Sequence, residues 1–203
     1  MTNKIKKRYD RIAGMYDLME MPMEGMFAKW RKKMLKGASG KALEVGIGTG
    51  KNIPHYPADV DLTGIDFSEK MISKAKEKVT GGKNVRLLLM DVQQMQFDDN
   101  SFDTVVTSCV FCSVPDPVQG LKEIRRVCKS GGKILMLEHV RSHKKVIGSL
   151  MDAFNFIPVN VYGANINRET FQNLLKAGFQ PENIEVENLW LDIVKLIRIN
   201  NEK

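Results

Sequence analysis

Three glycines at alternate positions, Gly46, Gly48 and Gly50, follow the apolar run "KALEV" and stand among three acids: Glu44 two residues ahead, Asp66 sixteen beyond, and Asp91 further on. Glycines in such a turn let the backbone bend sharply and approach a ligand that a Cβ would repel. A carboxylate just ahead of the turn suits a cationic ligand group and repels a pyrophosphate. Asp66 ends a second apolar run, "VDLTGID", where its two oxygens can accept hydrogen bonds from neighbouring hydroxyls such as those of a ribose. Asp91 and Val92 end a third, "NVRLLLMD", and offer a carboxylate beside a backbone amide, a pair able to read an adenine edge.

Two phosphate-binding chemistries fail at single positions. The dinucleotide fingerprint G-x-G-x-x-G needs glycine at position 51, which is Lys51; a Walker loop needs Ser or Thr after Gly50-Lys51, where Asn52 stands. What remains is a nucleoside without phosphates that carries a positive amino-acid end, which is S-adenosylmethionine. Taken singly, Asp66 or Asp91 is as well explained as a helix N-cap. Acids at successive strand ends are not.

These residues need a sheet to bring them together. Apolar runs over 41–46, 60–66, 84–91, 102–108 and 132–139, separated by helix-length segments, predict a parallel sheet covered on both faces. Two more, 183–190 and 192–200, are joined by almost nothing and predict an antiparallel hairpin. A helix is expected straight after the glycine turn. In "DFSEKMISKAKEKV" Ser68 caps a helix with Met71, Ile72 and Ala75 on one face, ending near Gly81 and Gly82; in "DPVQGLKEIRRVCKSGG" Asp116 caps, Pro117 opens, and a glycine pair closes. The fold class is α/β, with a seven-stranded mostly parallel sheet, helices on both faces and a C-terminal antiparallel hairpin.

A chain of 203 residues, 43% hydrophobic and 27% charged, suits one globular domain over 1–203. No apolar run approaches the roughly 18 residues a spanning helix needs, and no secretory h-region opens the chain, so a cytoplasmic location is expected. Cys109, Cys112 and Cys128 are odd in number and lack nearby His ligands, which reads as buried thiols; no metal is expected. The net charge of +7 is concentrated: residues 1 to 36 hold ten Lys and Arg against four Asp and Glu. A local basic excess points to an anionic partner.

"LEVGIGTG", "GIDFSEKMISKAKEK", "MDVQQMQFDDNSFDTVV" and "EIRRVCKSGGKILMLEH", in this order and spacing, resemble the class I S-adenosylmethionine-dependent methyltransferases, particularly those of ubiquinone and menaquinone biosynthesis, over roughly residues 9 to 200. "YDRIAGMYD" resembles their N-terminal element. The resemblance implies a Rossmann-like fold in which Gly46, Gly48 and Gly50 line the cofactor turn with Glu44 beside it. It implies that Asp66 holds the ribose, Phe67 packs on the adenine, Asp91 and Val92 flank its other side, and Ser108 to Cys112 form the floor beneath the reactive methyl. A tyrosine of the N-terminal element, Tyr16 or Tyr9, would fold over the methionine end.

Methylating an amine adds one demand, because an ammonium has no lone pair and must first lose its proton. Tyr9, Tyr16 and His139, at the end of the fifth strand, are the candidate catalytic groups near the mouth. Ile5, Tyr9, Ile12, Tyr16, Met19, Met23 and Met26 form one helical stripe, flanked by Lys4, Lys7, Arg8 and Arg11 and interrupted by Gly14 and Pro22. Residues 1–36 thus read as an amphipathic helical cap facing an anionic membrane surface, with packing on the domain as the competing account. The long connection over 144–163, rich in Ile, Leu, Met and Phe, predicts an acyl-chain channel. Arg168, Arg141 and Lys144 are candidates for a lipid phosphate. These features resemble bacterial phosphatidylethanolamine N-methyltransferases, which implies stepwise N-methylation toward phosphatidylcholine by a monomer peripherally associated with the membrane. C-methylation of a prenylated quinol is the nearest alternative, and a small-molecule methyltransferase the next. Nucleic acid is not an expected partner: "CVFCSVPDP" follows the fourth strand in place of an Asn-Pro-Pro-Tyr-type motif.

Overall fold

The computed structural model describes residues 2–79, 84–161 and 163–203. Among them, seven strands form one sheet: β1 (Lys41–Val45), β2 (Asp61–Asp66), β3 (Val85–Leu89), β4 (Phe102–Ser108), β5 (Cys128–His139), β6 (Ile184–Trp190) and β7 (Val194–Asn201). Their order is β3-β2-β1-β4-β5-β7-β6. β1 to β5 pair in parallel, and β7 inserts antiparallel to both β5 and β6. The expected mostly parallel sheet with a terminal hairpin is therefore the observed one.

Alternation along the strands divides the core in two. Leu43, Val45, Val105, Ile134 and Met136 face one cluster; Ala42, Val106, Leu135 and Leu137 face the other. Helices α4 (Pro117–Val127) and α7 (Thr170–Lys176) cover the first face, while α2 (Tyr16–Leu35) and α3 (Glu69–Glu77) supply Met34, Leu35, Ile72 and Ala75 to the second. Burial on both faces is why these strands read as continuous apolar runs. The predicted caps are in place: Ser68 Oγ accepts from the Met71 N–H and Asp116 Oδ1 from the Gln119 N–H.

Three local expectations are corrected. The glycine turn opens into a single 3₁₀ turn, Ile53–His55, and not a helix, because Pro54 and Pro57 punctuate the segment and hold Tyr56 extended ahead of the second proline. α4 ends at Val127, before the glycine pair: Cys128 is already extended and pairs with Phe102, so the pair lies inside β5. Pro22 does not interrupt α2, whose later turns are anchored by Met34 and Leu35, both buried. Gly14 does separate α2 from α1 (Thr2–Ile12). The closing glycines Gly81 and Gly82 lie outside the described residues.

The N-terminal stripe turns inward for its first half. Ile5 is buried, and Tyr9, Ile12 and Tyr16 are half-buried; the Met19 side chain is outside the described residues. α1 is tied to the start of α3 by Lys6 to Glu69 and by Ser68 to Asp10. The apolar side chains most exposed here are Met15, Leu18 and Met21, none of them in the expected stripe.

Gly64 in β2 shows how closely the sheet supports the glycine turn. A Cβ there would lie 2.2 Å from Ile47 Cδ1 and 2.9 Å from Leu87 Cδ2. Ile47 sits inside the turn, so Gly64→Ala is expected to destabilise the protein by about 1–3 kcal/mol in urea denaturation, through overpacking. It should also weaken S-adenosylhomocysteine binding, measured by calorimetry, because the turn is displaced.

Candidate active site

Gly46, Gly48 and Gly50 take φ values of +65°, +55° and +80°, a region that strains any side chain. At Gly46 a Cβ would strike Val110 Cγ2 at 2.6 Å, and at Gly50 Ile53 Cδ1 at 2.8 Å; at Gly48 it would meet only the Gly46 carbonyl oxygen, at 4.0 Å. Gly50 is thus packed behind the turn, and Gly48 borders open space.

That space belongs to a crevice along the carboxyl ends of β1, β2 and β4. Three adjoining cavities of about 480, 410 and 440 Å³, partly open to solvent, all include Gly46 in their walls. The first is lined by Tyr16, Phe27, Arg31, Glu44, Gly48, Thr49, Ser108 and Cys109. The middle one has Tyr9, Tyr16, Gly48, Asp66, Phe67, Ser108 and Ser113. The third has Ile5, Asp66, Phe67, Asp91, Val92 and Val114. Ten sequence-derived candidates therefore share one crevice: Tyr9, Tyr16, Glu44, Gly46, Gly48, Asp66, Phe67, Asp91, Val92 and Ser108.

Asp66, 6% exposed, anchors the middle. Its Oδ2 accepts from the Gly48 N–H at 3.0 Å and its Oδ1 from the Ser68 N–H at 2.9 Å, which leaves the carboxyl lone-pair capacity for a ligand hydroxyl. Burial pushes its pKa up to about 6, against the pull of the Ser68, Gly48 and Phe67 N–H groups. Glu44, 1% exposed, accepts from Asn52 Nδ2 at 2.9 Å through Oε1. The Tyr56 hydroxyl also bears on this carboxyl, while Oε2 accepts no hydrogen bond. Burial pushes Glu44 up to about 8, opposed by Asn52, Tyr56 and the Arg31 charge. At neutral pH burial keeps this carboxyl largely protonated, and a cationic group placed beside it would draw it to the carboxylate.

At the opposite wall the Tyr9 hydroxyl pairs with Ser113 Oγ at 2.5 Å, and its ring stands edge-on to Phe67 with centroids 5.7 Å apart. Burial pushes the Tyr9 phenol far above its usual range, so it stays protonated at neutral pH. Asp91 holds the Gln93 backbone and side-chain N–H groups at 2.9 and 3.0 Å.

α2 is clamped over the turn by side chains that the sequence reading missed. Thr49 Oγ1 and Lys78 Nζ both donate to Asp17 at 2.6 Å, while Lys51 Nζ and Arg31 Nη1 donate to Glu24 at 2.8 and 2.5 Å. Against the cost of burial, these donors hold Asp17 and Glu24 below the usual carboxylate range. Arg31 is buried beside the Phe27 ring. Its signal was a cation on the apolar Phe27-Met34-Leu35 face of a helix. Glu138 was missed for His139, although an acid inside an apolar strand had singled out Glu44. It is fully buried, accepts from Thr107 Oγ1 at 2.7 Å and from the Val110 and Phe111 N–H groups at 3.3 Å, and so holds the loop after β4; burial pushes it up to about 7.

His139, Arg141, Arg168 and Lys144 do not line the crevice. His139 is largely buried with Nδ1 unpartnered, and burial lowers its pKa. Arg141 is held by Asp152 at 2.8 Å. Arg141 and Arg168 line a separate cavity of about 940 Å³ beside Phe171, Lys195 and Ile197. Arg168 Nη2 still donates at 2.8 Å to the carbonyl of Val114, a crevice residue. Lys144 precedes the helix α5 (Lys145–Phe154) and is exposed. Among the described residues, no cluster of three or more His, Cys, Asp or Glu is placed to hold a metal. Cys112 and Cys128 are buried free thiols, and Cys109 is half-buried.

Residues 43–136, which contain the glycine turn, Asp66 and Asp91, match the family described as "Methyltransferase domain". This region is a class I S-adenosylmethionine-dependent methyltransferase domain. The chain is 39% identical to a phosphatidylethanolamine N-methyltransferase of Cereibacter sphaeroides over 56% of its own length and 58% of that protein's. It is 37% identical to a demethylmenaquinone methyltransferase of Staphylococcus aureus over 66% and 56% respectively, so it matches little more than half of each relative's length. A solved S-adenosylmethionine-dependent methyltransferase of Thermotoga maritima, described as a possible histamine N-methyltransferase, shares the fold with a TM-score of 0.74 at 20% identity, covering 97% of this chain and 99% of that one. The crevice of the methyltransferase domain fits the cofactor of its class: Glu44 Oε2 is unpartnered, the space at Gly48 is open, and Asp66 keeps lone pairs for hydroxyls.

Asp66→Ala is expected to lower S-adenosylhomocysteine affinity by about 10- to 100-fold in calorimetry, the usual cost of losing hydrogen bonds to a charged group. Wild-type affinity should fall as pH drops below about 6, where Asp66 takes up a proton. Glu138 keeps its proton to about pH 7 when folded but releases it near ~4.3 when unfolded, so its stabilising contribution is lost as pH rises through that window. Melting temperature against pH for Glu138→Gln should therefore lack this component; a curve parallel to wild type would contradict it.

Proposed function

We propose that this protein methylates the amine of phosphatidylethanolamine, stepwise toward phosphatidylcholine, at the surface of an anionic membrane. The observation that carries the chemistry is the buried Glu44 carboxyl, its Oε2 without a hydrogen bond, beside Arg31 in the wall of the crevice. The lipid acceptor is supported by the 39% identity to a phosphatidylethanolamine N-methyltransferase and by the basic N-terminal segment.

In this reading Glu44 receives the ammonium and Arg31 the carboxylate of S-adenosylmethionine, Asp66 takes the ribose hydroxyls, and Phe67, Asp91 and Val92 enclose the adenine. The bound cofactor supplies a methyl group already activated on a sulfonium. The chain's own work is to align the acceptor and exclude water. Residues 1–36 act as a helical cap on a single domain, with Tyr9 and Tyr16 over the methionine end. Tyr9 orients and does not take a proton, since its phenol stays protonated; desolvation of the acceptor on binding favours the neutral amine. Of the three expected phosphate ligands we retain Arg168, whose guanidinium donates at 2.8 Å to the carbonyl of Val114, a crevice residue. The chain works as a cytoplasmic, peripheral monomer.

A second reading, C-methylation of a prenylated quinol, is supported by the 37% identity to a demethylmenaquinone methyltransferase, aligned over a larger share of this chain. Methyl-labelled S-adenosylmethionine is to be incubated with vesicles containing phosphatidylethanolamine and, separately, with a demethylated prenylated quinol. Label is expected in the phospholipid; label in the quinol alone replaces the first reading with the second.

A further inference from the structure

The segment after β5 does not enclose an acyl channel. Gly148 and Met151 of α5 turn inward, Ile147 and, in α6 (Phe156–Val161), Pro158 and Val159 are half-buried, and the other large apolar residues of the two helices face outward. Val146, Leu150, Phe154, Phe156, Ile157 and Val161 are 74%, 53%, 53%, 61%, 48% and 44% exposed. Steps of four residues, 146-150-154 and 157-161, place them in stripes along the two helices. So many large apolar side chains in sixteen residues are costly to leave in water, and such a face marks an interaction surface.

The charges around it select the partner. Lys144 and Lys145 open α5 and are exposed. Arg8 Nη1 donates to the Val159 carbonyl at 2.6 Å, which docks α1 beside α6. Lys4, Lys7 and Arg11, at helical spacing on α1, are exposed as well. The exposed acid of α5, Asp152, is already held by Arg141 and Asn167. An apolar face rimmed by cations matches an anionic bilayer, with apolar side chains below the headgroups and cations among them.

We infer that α5 and α6, and not the expected α1–α2 stripe, form the face that docks on an anionic membrane surface, with α1 contributing the cationic rim. Its biological purpose rests on the lipid-borne acceptor proposed above. Its test uses no acceptor, so either can fail alone.

The full chain is to be sedimented with vesicles of phosphatidylglycerol and phosphatidylcholine, and with phosphatidylcholine alone, at low and high salt. Wild type should pellet with the anionic vesicles at low salt. Leu150→Asp combined with Phe154→Ser should reduce partitioning by about 10-fold or more, with S-adenosylhomocysteine binding unchanged. Lys144→Glu with Lys145→Glu should give a loss of similar order on anionic vesicles only. Leu18→Asp with Met21→Asp on α2 should have no effect. The inference is overturned if wild type fails to pellet, if the α5 pair pellets like wild type, if the α2 pair abolishes binding, or if light scattering shows a dimer that the α5 substitutions dissociate.

Discussion

The Asp66 carboxylate holds the site together before any ligand arrives. It is buried at the end of β2, and its two oxygens bind the N–H of Gly48 in the glycine turn and that of Ser68 at the start of α3. Ser68 in turn caps α3 and donates to Asp10 of α1. One acid therefore couples the turn, two strands, the next helix and the N-terminal segment. Keeping a charge there opposes burial, which is why its pKa rises, and the backbone amides offset part of that cost.

Strand order explains why the crevice opens where it does. Outward from β1 the chain runs to β2 and β3 on one side and to β4 and β5 on the other. Loops leaving β1 and β4 thus diverge, and ligands in open α/β sheets bind at such a switch point. Glu138 keeps the β4 side in position by holding the Val110 and Phe111 amides, and Val110 in turn packs against Gly46. The reversed β7 completes the sheet beyond β5.

Over this frame lies a helix tied to the glycine turn by polar and charged side chains as well as by apolar packing. Asp17 and Glu24 of α2 meet Thr49, Lys51 and Lys78, where an apolar contact would have served stability alone. Lys51, the residue that excludes a dinucleotide fingerprint, has a structural use here as the partner of Glu24. Partly exposed pairs of this kind contribute little each, but several on one helix fix its placement and with it that of Tyr16 and Arg31, which it carries.

The strands, the hairpin, the caps at Ser68 and Asp116, and the acids along the crevice were legible in the sequence, because apolar periodicity and capping chemistry are local properties of the chain. So was the punctuation by Pro54 and Pro57, which is incompatible with the helix expected straight after the glycine turn. Tertiary structure decided what depends on distant partners. It buried Ile5 and left Met15, Leu18 and Met21 outside, because α1 docks on α3 and α6 through Asp10, Lys6 and Arg8. It brought Arg31 to Glu44 across thirteen residues, and it turned α5 and α6 outward from the fold. A helical stripe has the same spacing whether it meets the body or the solvent; which one it meets is set by what packs against it.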